Sequence, residues 1–224
     1  IMVIDDLANR SHDCDVLLDQ NFYLNMDSRY NDLVPTYTKL LLGPSFALLR
    51  EEFIDAKSSI KPFSGKIERL FIFFGGSDPT NETEKVLHAI RPLMIKYRLQ
   101  ADIVVGNSNP NKNNIKQLCN AINGINFHCQ INNIAELMAQ ADLAIGAGGS
   151  TSWERAFLQL PSIVIAVAEN QIEIAKANHF KEICIYLGLW NEVTTKNIKD
   201  LIETMLNSSV QINRMICNMK NFFI

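Results

Sequence analysis

From about residue 70 to residue 206 the chain alternates short apolar runs with longer amphipathic stretches, and few folds accommodate that rhythm. The apolar runs cover residues 70–74, 101–105, 125–129, 143–145, 162–167 and 184–186. Helical patterning covers residues 81–97, 111–121, 134–141, 150–158, 171–180 and 195–206. Strands that alternate with helices imply parallel β-α-β units, with a sheet covered on both faces. Parallel strands buried on both sides should be almost continuously apolar, as Leu70-Phe71-Ile72-Phe73-Phe74 is. A last helical pattern, residues 210–223, carries Ile212, Met215, Ile216, Met219 and Phe222 at helical spacing.

The preceding segment is less regular. Ile1-Met2-Val3-Ile4 runs into Asp5-Asp6, and Val16-Leu17-Leu18-Asp19 reads as a second short strand. A polar stretch rich in Tyr and Asn leads to Leu40-Leu41-Leu42 and the breaker Gly43-Pro44. Residues 46–53 carry a short helical signal, and residues 54–64, with Ser, Lys and Pro62, read as a linker. The expected division is residues 1–50 and residues 51–224, with the last helix returning to the first part. An opening on an apolar strand fits a strand entered mid-fold or an ordinary edge strand equally well.

Composition removes several classes of function. Acidic residues number 24 and basic residues 21, so there is no cationic surplus for a nucleic-acid backbone. The longest apolar run, residues 163–168, is far too short to cross a bilayer. The first residues lack the basic head and cleavage site of a signal peptide. Five cysteines without C-x-x-C spacing suit a reducing, cytoplasmic setting and argue against a zinc site.

In open α/β sheets ligands sit beyond the carboxyl ends of the strands. Two loops there are glycine-rich: Gly75-Gly76-Ser77-Asp78-Pro79 and Gly146-Ala147-Gly148-Gly149-Ser150-Thr151. Glycines admit a ligand close to the backbone, and N–H groups that open a following helix suit a phosphate. The second loop falls short of a dinucleotide fingerprint, because Thr151 stands where the third glycine belongs; Glu169 after the next strand keeps that reading alive. Thr151-x-x-Glu154 also spells a capping box, which would occupy the Glu154 carboxylate. Asp78 can open a helix before Pro79, and Asn170-Gln171 can either meet sugar hydroxyls or form a polar turn. The histidines make poor catalysts: His88 is mid-helix, His179 ends a helix, His12 lies in a polar turn, and His128 ends a strand where a structural role is usual. No two carboxylates are spaced to flank one glycosidic bond.

Four segments in order then resemble one family. They are Asp5-Asp6-Leu7-Ala8-Asn9-Arg10 through Leu17-Leu18-Asp19-Gln20-Asn21; Gly43-Pro44-Ser45-Phe46-Ala47-Leu48-Leu49-Arg50-Glu51-Glu52-Phe53; Gly75-Gly76-Ser77-Asp78-Pro79; and the run from Asp142 to Gln171, with Trp153-Glu154-Arg155 and Leu160-Pro161-Ser162. The chain resembles the UDP-2,4-diacetamido-2,4,6-trideoxy-β-L-altropyranose hydrolases of pseudaminic acid biosynthesis, themselves similar to the GT-B glycosyltransferase that makes lipid II. Phe46 stands where Tyr is usual, and Gln159 where Gly is usual.

The resemblance implies a GT-B-like α/β fold: a complete C-terminal Rossmann-like domain with a remnant of the N-terminal one. It implies that Glu154 holds ribose hydroxyls and that Gly149, Ser150 and Thr151 cradle a diphosphate, with Gly76 and Ser77 in the facing loop. Ile131 and Asn132 would face uracil, and Asn170 and Gln171 the sugar. No metal or other cofactor is implied, and the partner is UDP or its diacetamido-trideoxyhexose conjugate. In the family a G-x-G-H-x-x-R loop of the N-terminal domain supplies the water-activating His. No such motif occurs here, so no catalytic residue is assigned and the N-terminal half is read as missing. A glycosyltransferase of the same fold, or a UDP-binding module without catalysis, are the alternatives.

Overall fold

The computed structural model describes residues 1–222, and two parallel sheets organise them. The smaller holds β1 (Met2–Ile4), β2 (Val16–Asp19) and β3 (Lys39–Leu42), in that order. Its core is small, built on Cys14, Leu17 and Tyr30. At its free edge, Ile1, Met2 and Ile4 are 80%, 54% and 61% exposed.

The larger sheet holds β4 (Arg69–Phe73), β5 (Gln100–Val105), β6 (Ile125–Cys129), β7 (Leu143–Ala147), β8 (Ser162–Ala166) and β9 (Ile185–Leu189). All pairings are parallel, in the order β6-β5-β4-β7-β8-β9. The order reverses between β4 and β7, and that reversal opens a crevice above the carboxyl ends of these two central strands. Alternate residues of β4 serve opposite faces. Leu70 and Ile72 join the larger core with Val86 and Ile90 of α2 (Glu82–Tyr97), Ile115 of α3 (Lys112–Asn120), and Ile198 and Ile202 of α7 (Thr195–Asn207). Phe71 joins a second core with Phe53 of α1 (Glu51–Ala56) and Met138 of α4 (Ile134–Gln140). Residues α5 (Thr151–Phe157), α6 (Ile172–Phe180) and α8 (Val210–Lys220) complete the helices.

Three expectations need correction. The helical signal over residues 46–53 resolves into a single 3-10 turn, Pro44–Phe46, then extended backbone at Ala47 and Arg50. The helix begins only at Glu51, because Phe53 and Ala56 are the residues that reach the second core. The supposed linker over residues 54–64 is therefore helical to Ala56, and a 3-10 turn follows at Lys57–Ser59. The last strand lies at Ile185–Leu189 rather than residues 184–186; it runs through Gly188, where its pairing with β8 shifts register. The pattern at residue 223 lies outside the described residues.

The two sheets meet through specific bonds. The Trp153 indole Nε1 donates to Asn21 Oδ1 at 2.9 Å in a buried contact, and Trp153 also stacks on Phe222. Phe222 in turn meets Phe22 edge-on. Leu48 N donates to Gln20 Oε1, which fixes the extended segment between the sheets.

Candidate functional site

The loops that follow β4, β5, β6, β7 and β8 gather at one end of the larger sheet. After β4 the chain turns through Gly75, Gly76 and Ser77, the last two exposed. Buried Asp78 then accepts from the N–H groups of Glu82 and Thr83, so this carboxylate is committed to opening α2. The loop after β5 approaches from the side: Gly106 N donates to Gly76 O at 3.0 Å. A Cβ on Gly106 would lie 2.5 Å from that oxygen, so only glycine admits the two loops to this distance. A cavity of about 180 Å³ opens here, lined by Phe73, Val104, Val105, Gln130, Ile131 and Ile134, with Arg50 and the two glycines at its mouth.

Arg50 joins this cavity to the glycine-rich loop after β7. Its Nη2 donates to Glu154 Oε1 at 3.1 Å, its Nη1 pairs with Glu52, and its guanidinium lies 5.0 Å from the centre of the Phe53 ring. Glu154 is 13% exposed, and its second oxygen, Oε2, is buried without a protein partner. Burial pushes the Glu154 carboxyl above the ordinary glutamate range, and the charge of Arg50 only partly offsets this. No capping box forms. The residue ahead of α5, Ser150, is itself helical in backbone and makes no side-chain cap, so Glu154 is left for Arg50.

Gln171 ties the loop after β7 to the loop after β8. Its Oε1 accepts from Gly148 N at 3.2 Å and from Val167 N at 3.0 Å, which leaves the amide nitrogen beside Gly149. Asn170 is exposed on the neighbouring 3-10 turn, Glu169–Gln171. Gly149, Ser150 and Thr151 thus lie between Gln171 on one side and the Arg50–Glu154 pair on the other. Ile131 lines the 180 Å³ cavity, whereas Asn132 lines a separate cavity of about 250 Å³ with Glu52, Asp55 and Glu136. The structure therefore brings Gly76, Ile131 and the Glu154 partner Arg50 to one cavity, and leaves Asn132 in another.

His128 has a structural environment. Its Nε2 lies 2.9 Å from Asp102, a fully buried carboxylate that also accepts from Arg69 Nε at 2.6 Å and Asn126 Nδ2. Burial alone would raise Asp102; these donors outweigh it and hold the carboxyl below its usual range. His12 sits 3.3 Å from Asp5 in the smaller sheet's first turn. Among the described residues, no group of three or more His, Cys, Asp or Glu could hold a metal ion. Sequence pattern singles out neither Arg50 nor Gly106 as a site residue. A glycine directly after the strand at residues 101–105 was a usable signal; the partner of Arg50 lies 104 positions away and left none.

The model for the glycosyltransferase family 28 C-terminal domain matches residues 70–223. The chain belongs to this family. Comparison with solved structures finds the same fold. The MurG crystal structure of Acinetobacter baumannii superposes with a TM-score of 0.62 at 13% identity, covering 92% of this chain and 61% of that one. The fold is accordingly GT-B-like. Among curated relatives, an uncharacterised protein of Methanocaldococcus jannaschii is 34% identical over 142 residues, 61% of this chain and 29% of its own length. A protein of Campylobacter jejuni named UDP-2,4-diacetamido-2,4,6-trideoxy-beta-L-altropyranose hydrolase is 30% identical over 163 residues, 72% of this chain and 56% of its own. The chain thus spans about a third to a little over half of these two relatives.

Proposed function

We propose that this chain is the nucleotide-binding half of a UDP-sugar hydrolase, acting on a UDP-linked 2,4-diacetamido-2,4,6-trideoxyhexose and releasing UDP and the free sugar. The observation that carries the reading is Glu154: a nearly buried carboxylate with one oxygen held by Arg50 and the other left without a partner. Buried acceptors are ordinarily satisfied, and a ribose diol supplies two O–H donors to a carboxylate in such a position. The uracil enters the cavity beside Ile131; Asn132, which lines the neighbouring cavity, is next to it in sequence only. Gly76 and Ser77 in one loop, and Gly149, Ser150 and Thr151 in the other, hold the diphosphate through backbone and hydroxyl donors. The free amide of Gln171, with Asn170, reaches the sugar. The similarity to the Campylobacter jejuni protein supports the hydrolytic reading.

In the reaction the bond between the anomeric carbon and the diphosphate oxygen breaks, and water oxygen bonds to that carbon. The water proton passes to a base, and UDP leaves with the electron pair. Backbone donors aimed at the diphosphate stabilise the charge that develops there. We assign that base to none of the described residues; the family resemblance implies a histidine of an N-terminal domain in that role. The match to a glycosyltransferase domain favours a second reading, with an acceptor hydroxyl in place of water. The deciding experiment supplies the N-terminal half of a homologue in trans with the authentic UDP-sugar. Free sugar and UDP in equal amounts are expected only when both halves are present. Turnover by this chain alone, or a glycosylated acceptor in place of free sugar, overturns the proposal.

A further inference from the structure

Beneath the loop after β7 lies a charge that takes no part in the nucleotide contacts described above. Arg155 is 1% exposed, on the inner side of α5. Its Nη2 donates to Ala147 O at 2.8 Å and to Ser152 Oγ at 3.1 Å, and its Nη1 donates to Thr151 Oγ1 at 3.2 Å. Its Nε is buried without a partner. Gly146 makes the seat: a Cβ there would stand 2.9 Å from Nη1 and 2.4 Å from Phe73 O.

Every acceptor that Arg155 meets is neutral. Among the described residues no carboxylate comes within ion-pair distance of it, and Glu154, its neighbour in sequence, turns to Arg50. Buried Cys184 is the other titratable group that senses it, and burial pushes that thiol up to about 12, so it stays neutral. Burial pulls Arg155 down to about 10, still well above neutral pH, so the guanidinium is charged. The Glu154 charge acts on Arg155 only from beyond ion-pair distance, and a buried charge without a paired counter-charge is costly. The side chain bonds both to the end of β7 and to the first residues of α5, and so grips the Gly148–Thr151 segment from its protein side.

We propose that the diphosphate of the bound nucleotide is the counter-charge of Arg155, which acts as a positioning residue from beneath the loop without touching the ligand. This rests on the nucleotide-binding reading above and adds to it the source of the site's positive potential. The role predicts a specific preference: uridine and UDP share the ribose and base contacts, and only UDP carries the anion. Neutralising Arg155 should therefore lower UDP affinity by about tenfold and leave uridine affinity unchanged, the size expected of one unit charge acting at a protein-like dielectric.

The test is calorimetric titration of the chain with UDP and with uridine, for the unaltered protein, Arg155→Lys and Arg155→Met. The expected result is a UDP-to-uridine preference that falls in Arg155→Met and is largely kept in Arg155→Lys. Equal losses for both ligands in Arg155→Met would mean a purely structural arginine, and an unchanged preference would mean that the charge is not sensed; either result overturns the inference. If Arg155→Met does not fold, the unaltered chain still decides. Inorganic pyrophosphate should raise its melting temperature beyond sulfate at matched ionic strength, and a null result there rejects the idea. Absence of UDP binding by the unaltered chain is a separate failure, that of the nucleotide-binding reading, and it removes this inference as well.

Discussion

Glu154 concentrates what a residue can disclose. Its folded carboxyl lies above the ordinary glutamate value because burial disfavours the charge. The sign follows: below the unfolded value the group is protonated in both states and costs nothing. As pH rises through the folded value, the buried charge costs stability. Ligand binding should run the other way, since an ionised carboxylate is the stronger acceptor of the ribose diol. UDP affinity is expected to fall as pH drops through the raised value, and the fall should vanish in Glu154→Gln. At neutral pH, 2′-deoxy-UDP should bind more weakly than UDP by about 1.5–3 kcal/mol, the worth of one hydrogen bond to a charged group. Equal affinities by calorimetry would leave Glu154 as a partner of Arg50 and nothing more. Sequence pattern alone offered a cap for this residue, because T-x-x-E is a local signal and Arg50 is not local. The same distance hid the unpaired state of Arg155, which depends on Cys184 and Gly146 as much as on its own position.

Among elements, those of the larger sheet were readable because strand period and helix period differ so plainly in a doubly covered sheet. Helix α7 adds local punctuation, since Thr194 and Asn197 form a reciprocal capping box that marks its start. Helix α1 was misplaced for the opposite reason: six residues give little periodicity, and its start is set by Phe53 finding the second core. Loops were readable as glycine-rich but not in their mutual approach. The contact of Gly106 with Gly76 gives a test of that approach. Gly106→Ala should destabilise the chain by about 1–3 kcal/mol, because the Cβ meets backbone that must shift. Gly149→Ala should be tolerated by the fold, since its Cβ would meet only the Gln171 amide nitrogen at 3.7 Å. Denaturant unfolding of the two variants compares them directly; equal stabilities would show that the Gly76 loop gives way freely.

At the scale of the molecule, the two sheets differ in how well they are finished. The larger has helices on both faces, while the smaller shows an open edge at β1 with apolar side chains in solvent. Unpaired parallel edges with exposed apolar residues invite further pairing. Residues 1–224 produced alone are therefore expected to self-associate with rising concentration, and β1 charged by Ile4→Lys should associate less. A strictly monomeric chain by light scattering at every concentration would count against this. The bond from Trp153 to Asn21 has a practical consequence for such work. The chain has two tryptophans, and Trp190 is the half-exposed one. In a Trp190→Phe background, emission comes from one buried indole whose N–H is satisfied only while the smaller sheet is seated. Unseating it would wet that indole and shift its emission to longer wavelength, so the chain carries its own optical gauge of whether the two sheets are together.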